Sequence, residues 1–317
     1  MGTISQEMLA LGEKAKKAAR LLRNVSTHDK NDALIKMSDA LVDHLPKIIE
    51  ANQQDIAAAK KNGLAEPLIE RLTLNEDRVL GMVSGLRQVA DLSDPLTITD
   101  EEWTIENGLR ITRRPVPLGV LGIIYESRPN VTADASALGL KAGNAVILRG
   151  GKEALNSNLA IGKALQDGLA QSNIPIDAIQ VIPSADRKYS TELMTMNDYV
   201  DCLIPRGGQG LIQAVKKNAS VAVIETGAGN SHLYIENSAD IQMAKDILFN
   251  AKTQRPSVCN AIETLVIDKE IADTHLVEFM QPLLDAHVEI YGDKHLQQLI
   301  PEVQAADEQI YHEEFPR

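Results

Sequence analysis

Cys259 is the residue of this 317-residue chain best placed for covalent chemistry. It lies in Asn250-Ala251-Lys252-Thr253-Gln254-Arg255-Pro256-Ser257-Val258-Cys259-Asn260, a polar stretch carrying two cations just ahead of an apolar run. A Lys252 or Arg255 charge beside the thiol favours the thiolate, which is the nucleophilic form. A cysteine inside an aliphatic run instead packs as a small apolar residue. Cys202, leading into Leu203, Ile204 and Pro205, has that second setting, and Cys259 does not. Two loops carry a different chemistry. Leu148-Arg149-Gly150-Gly151-Lys152-Glu153 sets two cations around a glycine pair, and Pro205-Arg206-Gly207-Gly208-Gln209-Gly210-Leu211 sets one cation and three glycines ahead of a helix-like stretch. Glycine lets backbone N–H groups approach an anion closely, and a helix start adds its dipole. Either loop alone is more often just a tight turn, and neither has the usual dinucleotide or nucleotide-triphosphate spacing. Together they point to a ligand with several phosphates. The forked guanidinium groups of Arg128 and Arg255 suit the phosphate or carboxylate of a substrate. The histidines at 28, 44, 232, 275, 287, 295 and 312 have no metal-ligand spacing, so no metal is expected.

Such residues need a scaffold. Leu34, Met37, Leu41, Leu45 and Ile48 recur at steps of three and four, which predicts an amphipathic helix over 29–61. Between Trp103 and Val116 the pattern alternates about Asn107-Gly108, which predicts a β-hairpin with both turn residues at positive φ. Short aliphatic runs then alternate with helix-like stretches at 120–124, 145–148, 179–182, 202–204, 221–224 and 233–235, and a further run at 264–267, after a helical segment near 241–250, starts a second α/β domain with a boundary near 232. Near-continuous apolar strands separated by helices predict a parallel sheet covered on both faces. In open sheets of that kind ligands bind at the carboxyl ends of the strands, where both glycine loops fall.

The totals bound the answer. The length allows two domains. Apolar residues at 44% and charged residues at 24% describe a packed globular protein. A net charge of −12 disfavours nucleic acid as a partner. Two isolated cysteines fit a reducing cytoplasm. The opening Met1-Gly2-Thr3-Ile4-Ser5-Gln6-Glu7 has no basic flank or apolar stretch, so neither export nor membrane insertion is expected.

Four stretches resemble signature segments of the gamma-glutamyl phosphate reductases, a family within the aldehyde dehydrogenase superfamily: 118–132 (LGVLGIIYESRPNVT), 141–153, 204–210 and 252–263. The resemblance runs in order along the chain. It implies a Rossmann-like parallel-sheet NADP-binding domain over 1–231, with a β-hairpin oligomerisation arm at about 101–117. It also implies a second α/β catalytic domain over 232–317, incomplete at its C-terminus. Cys259, in QRPSVCN, matches the nucleophile, and Asn130, in RPNVT, matches the amide of the oxyanion hole. Arg149 and Lys152 match positions that hold the adenosine ribose, the lysine favouring the 2′-phosphate of NADPH. Arg206, Gly207 and Gly208 match the pyrophosphate loop, while Glu225 and Glu314 match positions on the nicotinamide side. The implied reaction is reduction of gamma-glutamyl phosphate to glutamate 5-semialdehyde in cytoplasmic proline synthesis, with glutamate 5-kinase as pathway neighbour and a homo-oligomer as assembly. Family members continue past Pro316-Arg317, so the resemblance also admits a truncated, non-catalytic form that keeps only cofactor binding. Glu225 occupies the place of the base in hydrolytic aldehyde dehydrogenases, a third reading that the RPNVT and QRPSVCN forms oppose.

Overall fold

The computed structural model describes residues 4–97, 101–225, 229–256, 258 and 260–312. The chain divides into two compact units, residues 1–226 and 227–317.

The first unit opens with five helices: α1 (Gln6–Leu22), α2 (Thr27–Asp43), α3 (Leu45–Lys61), α4 (Glu66–Leu72) and α5 (Glu76–Asp91). The single helix expected over 29–61 is thus two, broken at His44 with Pro46 in the first turn of the second. Proline has no N–H to continue the ladder, yet its fixed φ suits a helix start. The apolar periodicity crosses the break because both helices bury the same kind of face, Leu34, Met37 and Leu41 in α2 and Ile48 in α3. Ser26 Oγ accepts from the Asp29 N–H at 3.1 Å and caps α2. A buried ion pair, Lys30 Nζ to Asp94 at 2.5 Å, ties α2 to the segment leaving α5. Burial alone would raise the Asp94 pKa. The bonds from Lys30, Thr27 and the Leu96 N–H outweigh it and hold the carboxyl below the ordinary range.

Strands β1 (Glu102–Thr104) and β2 (Arg110–Thr112) form the expected antiparallel hairpin, pairing Trp103 with Ile111. The turn differs from the expectation: Gly108 alone takes positive φ, at +83°, and its N–H donates to the Ile105 carbonyl. A third loop residue, Glu106, relieves Asn107 of the left-handed conformation. Trp103, Ile105 and Leu109 are all exposed on this arm.

A four-stranded parallel sheet follows: β3 (Val120–Tyr125), α6 (Asn130–Lys141), β4 (Ala145–Arg149), α7 (Leu155–Leu169), β5 (Ile179–Val181), α8 (Arg187–Thr195), β6 (Cys202–Arg206) and α9 (Gln209–Asn218). The strand order is β5-β4-β3-β6. Every residue of β3 and β4 is buried, as helix-covered parallel strands require. The run 221–224 builds no strand of its own; it adds one parallel bridge, Val223 to Leu203, along the outer side of β6. Cys202 is buried in β6, and that burial raises its pKa, the state of an inert packing thiol.

The second unit is smaller. β7 (Ser231–Ile235) pairs in parallel with β8 (Ile262–Ile267) across α10 (Ile241–Thr253). Then come α11 (Lys269–Asp285), β9 (Tyr291–Gly292), α12 (Lys294–Leu299) and β10 (Gln304–Ala305), with β9 and β10 in parallel. Its core gathers Ile235, Leu248, Ile262, Phe279, Met280 and Leu283. Among the described residues no helix is long and apolar enough to cross a membrane.

Candidate active site

Strand register gathers the candidate cofactor residues of the first unit. Ile124 of β3 pairs with Arg149 on one side and Pro205 on the other, and Tyr125 pairs with Arg206. Arg149 and Arg206 therefore flank the carboxyl end of β3, and both glycine turns open at that rim. The order β5-β4-β3-β6 reverses direction between β3 and β6, the crevice where open α/β sheets take their ligands.

Arg149 ends β4 and is only 8% exposed. Its Nη1 donates to the Gly150 carbonyl at 2.6 Å and its Nη2 to the Ala185 carbonyl at 3.1 Å, while its buried Nε has no partner among the described residues. Burial lowers its pKa, Arg187 adds to the lowering, and Glu153 opposes it. The guanidinium is thus held in place at the strand-end rim by two backbone carbonyls. Lys152 is exposed at the start of the 3₁₀ turn Lys152–Ala154. The glycine pair before it also has a packing role. A Cβ at Gly150 would lie 2.1 Å from the Asn158 amide, so that turn is tight for steric reasons as well.

Arg206, Gly207 and Gly208 are exposed, and Gly208 is the residue before α9. The Glu126 carboxylate, absent from the sequence-based candidates, accepts from the Gly208 N–H at 3.0 Å. Glu153, likewise not anticipated, accepts from the Ser127 N–H at 3.1 Å and the Ser127 hydroxyl at 2.5 Å, joining the turn after β3 to the turn after β4. No sequence spacing signals these contacts, since they arise from strand neighbours far apart in the chain.

Asn130 begins α6 and is exposed. Its Nδ2 donates to Asp134 Oδ2 at 2.9 Å, one helical turn on. A side-chain amide nitrogen has two hydrogens, so this bond orients the group and leaves a second N–H to donate. Surrounding protein atoms raise the Asp134 pKa against the lowering effect of Asn130. Arg128 is half-buried in the turn between Glu126 and Asn130. Glu225 is exposed and paired with Lys216 at 3.1 Å.

In the second unit, Cys259 and Glu314 lie outside the described residues. Their neighbours are described. Lys252, near the end of α10, donates from Nζ to the Ile262 carbonyl at 3.1 Å, closing the loop that carries Cys259 between α10 and β8. Arg255 is exposed in that loop, and its carbonyl accepts from the Val258 N–H at 3.3 Å. A cavity of about 950 Å³ in this unit is lined in part by Asn230, Lys252, Pro256, Thr264 and Tyr311. Among the described residues, no group of His, Cys, Asp and Glu is arranged to hold a metal.

The aldehyde dehydrogenase family model matches residues 5–299. A gamma-glutamyl phosphate reductase of Clostridium botulinum is 47% identical over 309 residues, which are 98% of this chain and 75% of that protein. The chain belongs to the gamma-glutamyl phosphate reductases of the aldehyde dehydrogenase family. It is thus a member of an oxidoreductase family with an aldehyde dehydrogenase-like α/β fold. The gamma-glutamyl phosphate reductase of Thermotoga maritima superposes with a TM-score of 0.90 at 40% identity, over 98% of this chain and 75% of that one. An engineered glycolyl-CoA reductase solved with bound NADP+ shares the fold at 20% identity, with a TM-score of 0.65 over 92% of this chain and 62% of that one. A nicotinamide cofactor accords with membership of the aldehyde dehydrogenase family.

Proposed function

We propose that this chain catalyses the NADPH-dependent reduction of gamma-glutamyl phosphate to glutamate 5-semialdehyde and inorganic phosphate, a step of proline synthesis in the cytoplasm. The observation that carries this reading is the 47% identity, over 98% of the chain, with a gamma-glutamyl phosphate reductase. The placing of Arg149 and Arg206 on either side of the carboxyl end of β3 supports the cofactor half of it.

The Cys259 thiolate attacks the acyl carbon, the carbon–oxygen bond to phosphate breaks, and phosphate leaves with that electron pair. Asn130, oriented by Asp134, donates its remaining N–H to the oxyanion that forms on the acyl oxygen. NADPH, when bound, supplies the hydride that reduces the resulting thioester. The hemithioacetal then collapses: the carbon–sulfur bond breaks, the aldehyde departs and the thiolate is restored. Arg149 and Lys152 hold the adenosine end and its 2′-phosphate, and Arg206, Gly207 and Gly208 the pyrophosphate. Glu225 and Glu314 serve the nicotinamide end. Arg128 and Arg255 are assigned the phosphate and carboxylate of the substrate. Glu225 is given no water-activating role, because phosphate rather than water is the group exchanged, and its carboxylate is engaged by Lys216. Two copies of the chain are proposed to associate through the hairpin arm, whose exposed Trp103 and Leu109 await cover. Glutamate 5-kinase is the neighbour that supplies the acyl phosphate.

The test runs the reaction backwards, because the acyl phosphate is labile. Purified chain is given glutamate 5-semialdehyde, NADP+ and phosphate while NADPH absorbance is followed. Phosphate-dependent NADPH formation that disappears in Cys259→Ala is expected. NADPH binding without any turnover would replace this reading with that of a cofactor-binding, non-catalytic chain.

A further inference from the structure

Glu126 belongs to none of the roles above, yet it occupies a central position in the proposed cofactor crevice. It follows β3 directly, at the point where the order β5-β4-β3-β6 reverses, and its own N–H donates to the Arg206 carbonyl at 3.2 Å. That bond extends the β3–β6 ladder one residue beyond Tyr125 and Arg206 and fixes the backbone of Glu126 beside the glycine turn. The side chain then folds onto the turn. Oε2 accepts from the Gly208 N–H at 3.0 Å, and a Cβ at Gly207 would lie 2.6 Å from the carboxyl carbon. Glycine at 207 is therefore needed to admit this carboxylate, whatever else it admits.

We infer that Glu126 is an internal anion seated on the pyrophosphate turn, which yields its place when the dinucleotide binds and thereby sets the cofactor's affinity. The inference rests on the cofactor reading of the Arg206–Gly208 turn. A helix start offers few unpaired N–H groups, and two anions cannot share the same ones at low cost. The Gly208 N–H already has an acceptor of full negative charge in the free chain. A pyrophosphate reaching it must displace the carboxylate or bind against its charge. Either route subtracts from the binding of any ligand that carries the pyrophosphate. Glu126 is exposed, so its side chain has room to rotate into water once released.

The experiment compares NADPH binding, by fluorescence titration, to the 317-residue chain and to Glu126→Gln and Glu126→Ala. Glutamine keeps an oxygen able to accept from Gly208 and removes only the charge, while alanine removes the occupant altogether. Adenosine 2′-monophosphate, which has the 2′-phosphate but no pyrophosphate, serves as second probe. The expected result is NADPH binding tighter by roughly threefold to tenfold in both variants, with the affinity for adenosine 2′-monophosphate unchanged. Unchanged or weaker NADPH binding in both variants would overturn the inference, and would mean that the carboxylate supports the turn rather than competing for it. An equal gain for both probes would overturn it too, by showing a general charge effect instead of competition at the pyrophosphate. If the unsubstituted chain binds NADPH no more tightly than does its Arg149→Ala form, the cofactor reading itself has failed, an outcome distinct from the other two.

Discussion

The two units differ in how far each has closed its own surface. In the first, all of β3 and β4 lie under helices, and Lys30 and Asn52, both buried, find partners in Asp94 and in the Leu72 carbonyl and the Leu74 N–H. In the second, the longer of two paired-strand sheets is β7–β8, and Tyr234 and Val266 on it and Met243 and Ile247 on α10 are all about half exposed. A parallel pair gains its stability from cover on both faces, and among the described residues these apolar side chains are left partly uncovered. The proposed division of labour follows the same line. The proposed cofactor groups, Glu314 apart, stand on the closed unit, while the proposed nucleophile's loop belongs to the open one. Position-critical recognition is best built on rigid elements, and a loop that must meet, acylate and release a substrate tolerates more freedom.

The broadest way to break this comparison is hydrogen exchange along the whole chain. Amides of β3 and β4 should exchange at least ~100-fold more slowly than those of β7 and β8, because the former open only with global unfolding. Equal protection would mean that the second unit is as closed as the first.

A single buried pair gives the next largest effect. Asp94→Ala strands the Lys30 charge and should cost about 3–5 kcal/mol in urea unfolding. The folded-state pKa of Asp94 is below its unfolded value. Its stabilisation should therefore be fully present above the ordinary aspartate pKa of about 3.9, and be lost as the pH falls through the lower folded value. Acid unfolding of Asp94→Ala should lack that component.

Arg149→Ala tests the rigid rim. NADPH binding should weaken by roughly 10- to 100-fold, as for loss of one charge-assisted contact, with the unfolding midpoint of the chain much less affected. Equal loss of stability and affinity would instead make Arg149 a structural residue of the turn.

Matched valines give the smallest contrast. Val146, fully buried in β4, should lose about 1–3 kcal/mol on conversion to threonine, through an unsatisfied hydroxyl. The same change at Val266, 45% exposed in β8, should stay within about 0.5 kcal/mol.

The closed unit was also the more legible one. Continuous aliphatic runs at 120–124 and 145–148 announced strands buried on both faces, and Asn107-Gly108 announced the hairpin. The turn went astray in detail because a third loop residue relaxes the demand on Asn107. One helix became two because periodicity counts apolar residues and is blind to the missing N–H of Pro46. The run 221–224 had strand composition without a full strand partner, so it made a bridge only. In the crevice, Arg149 and the glycine turns could be named from charge and glycine spacing. Glu126, Glu153 and Asp134 could not, since their partners are assigned by strand order and helix pitch rather than by local pattern.

The central claim is that Cys259 carries the acyl group. It is tested most directly by giving the chain glutamate 5-semialdehyde and NADP+ with phosphate left out, then following NADPH formation and the mass of the Cys259 peptide together. Without phosphate to take the acyl group, a stoichiometric burst of NADPH should appear, with a gamma-glutamyl adduct on Cys259 that phosphate then discharges. Continuous NADPH formation with release of free glutamate, or an adduct on any other residue, would contradict the account.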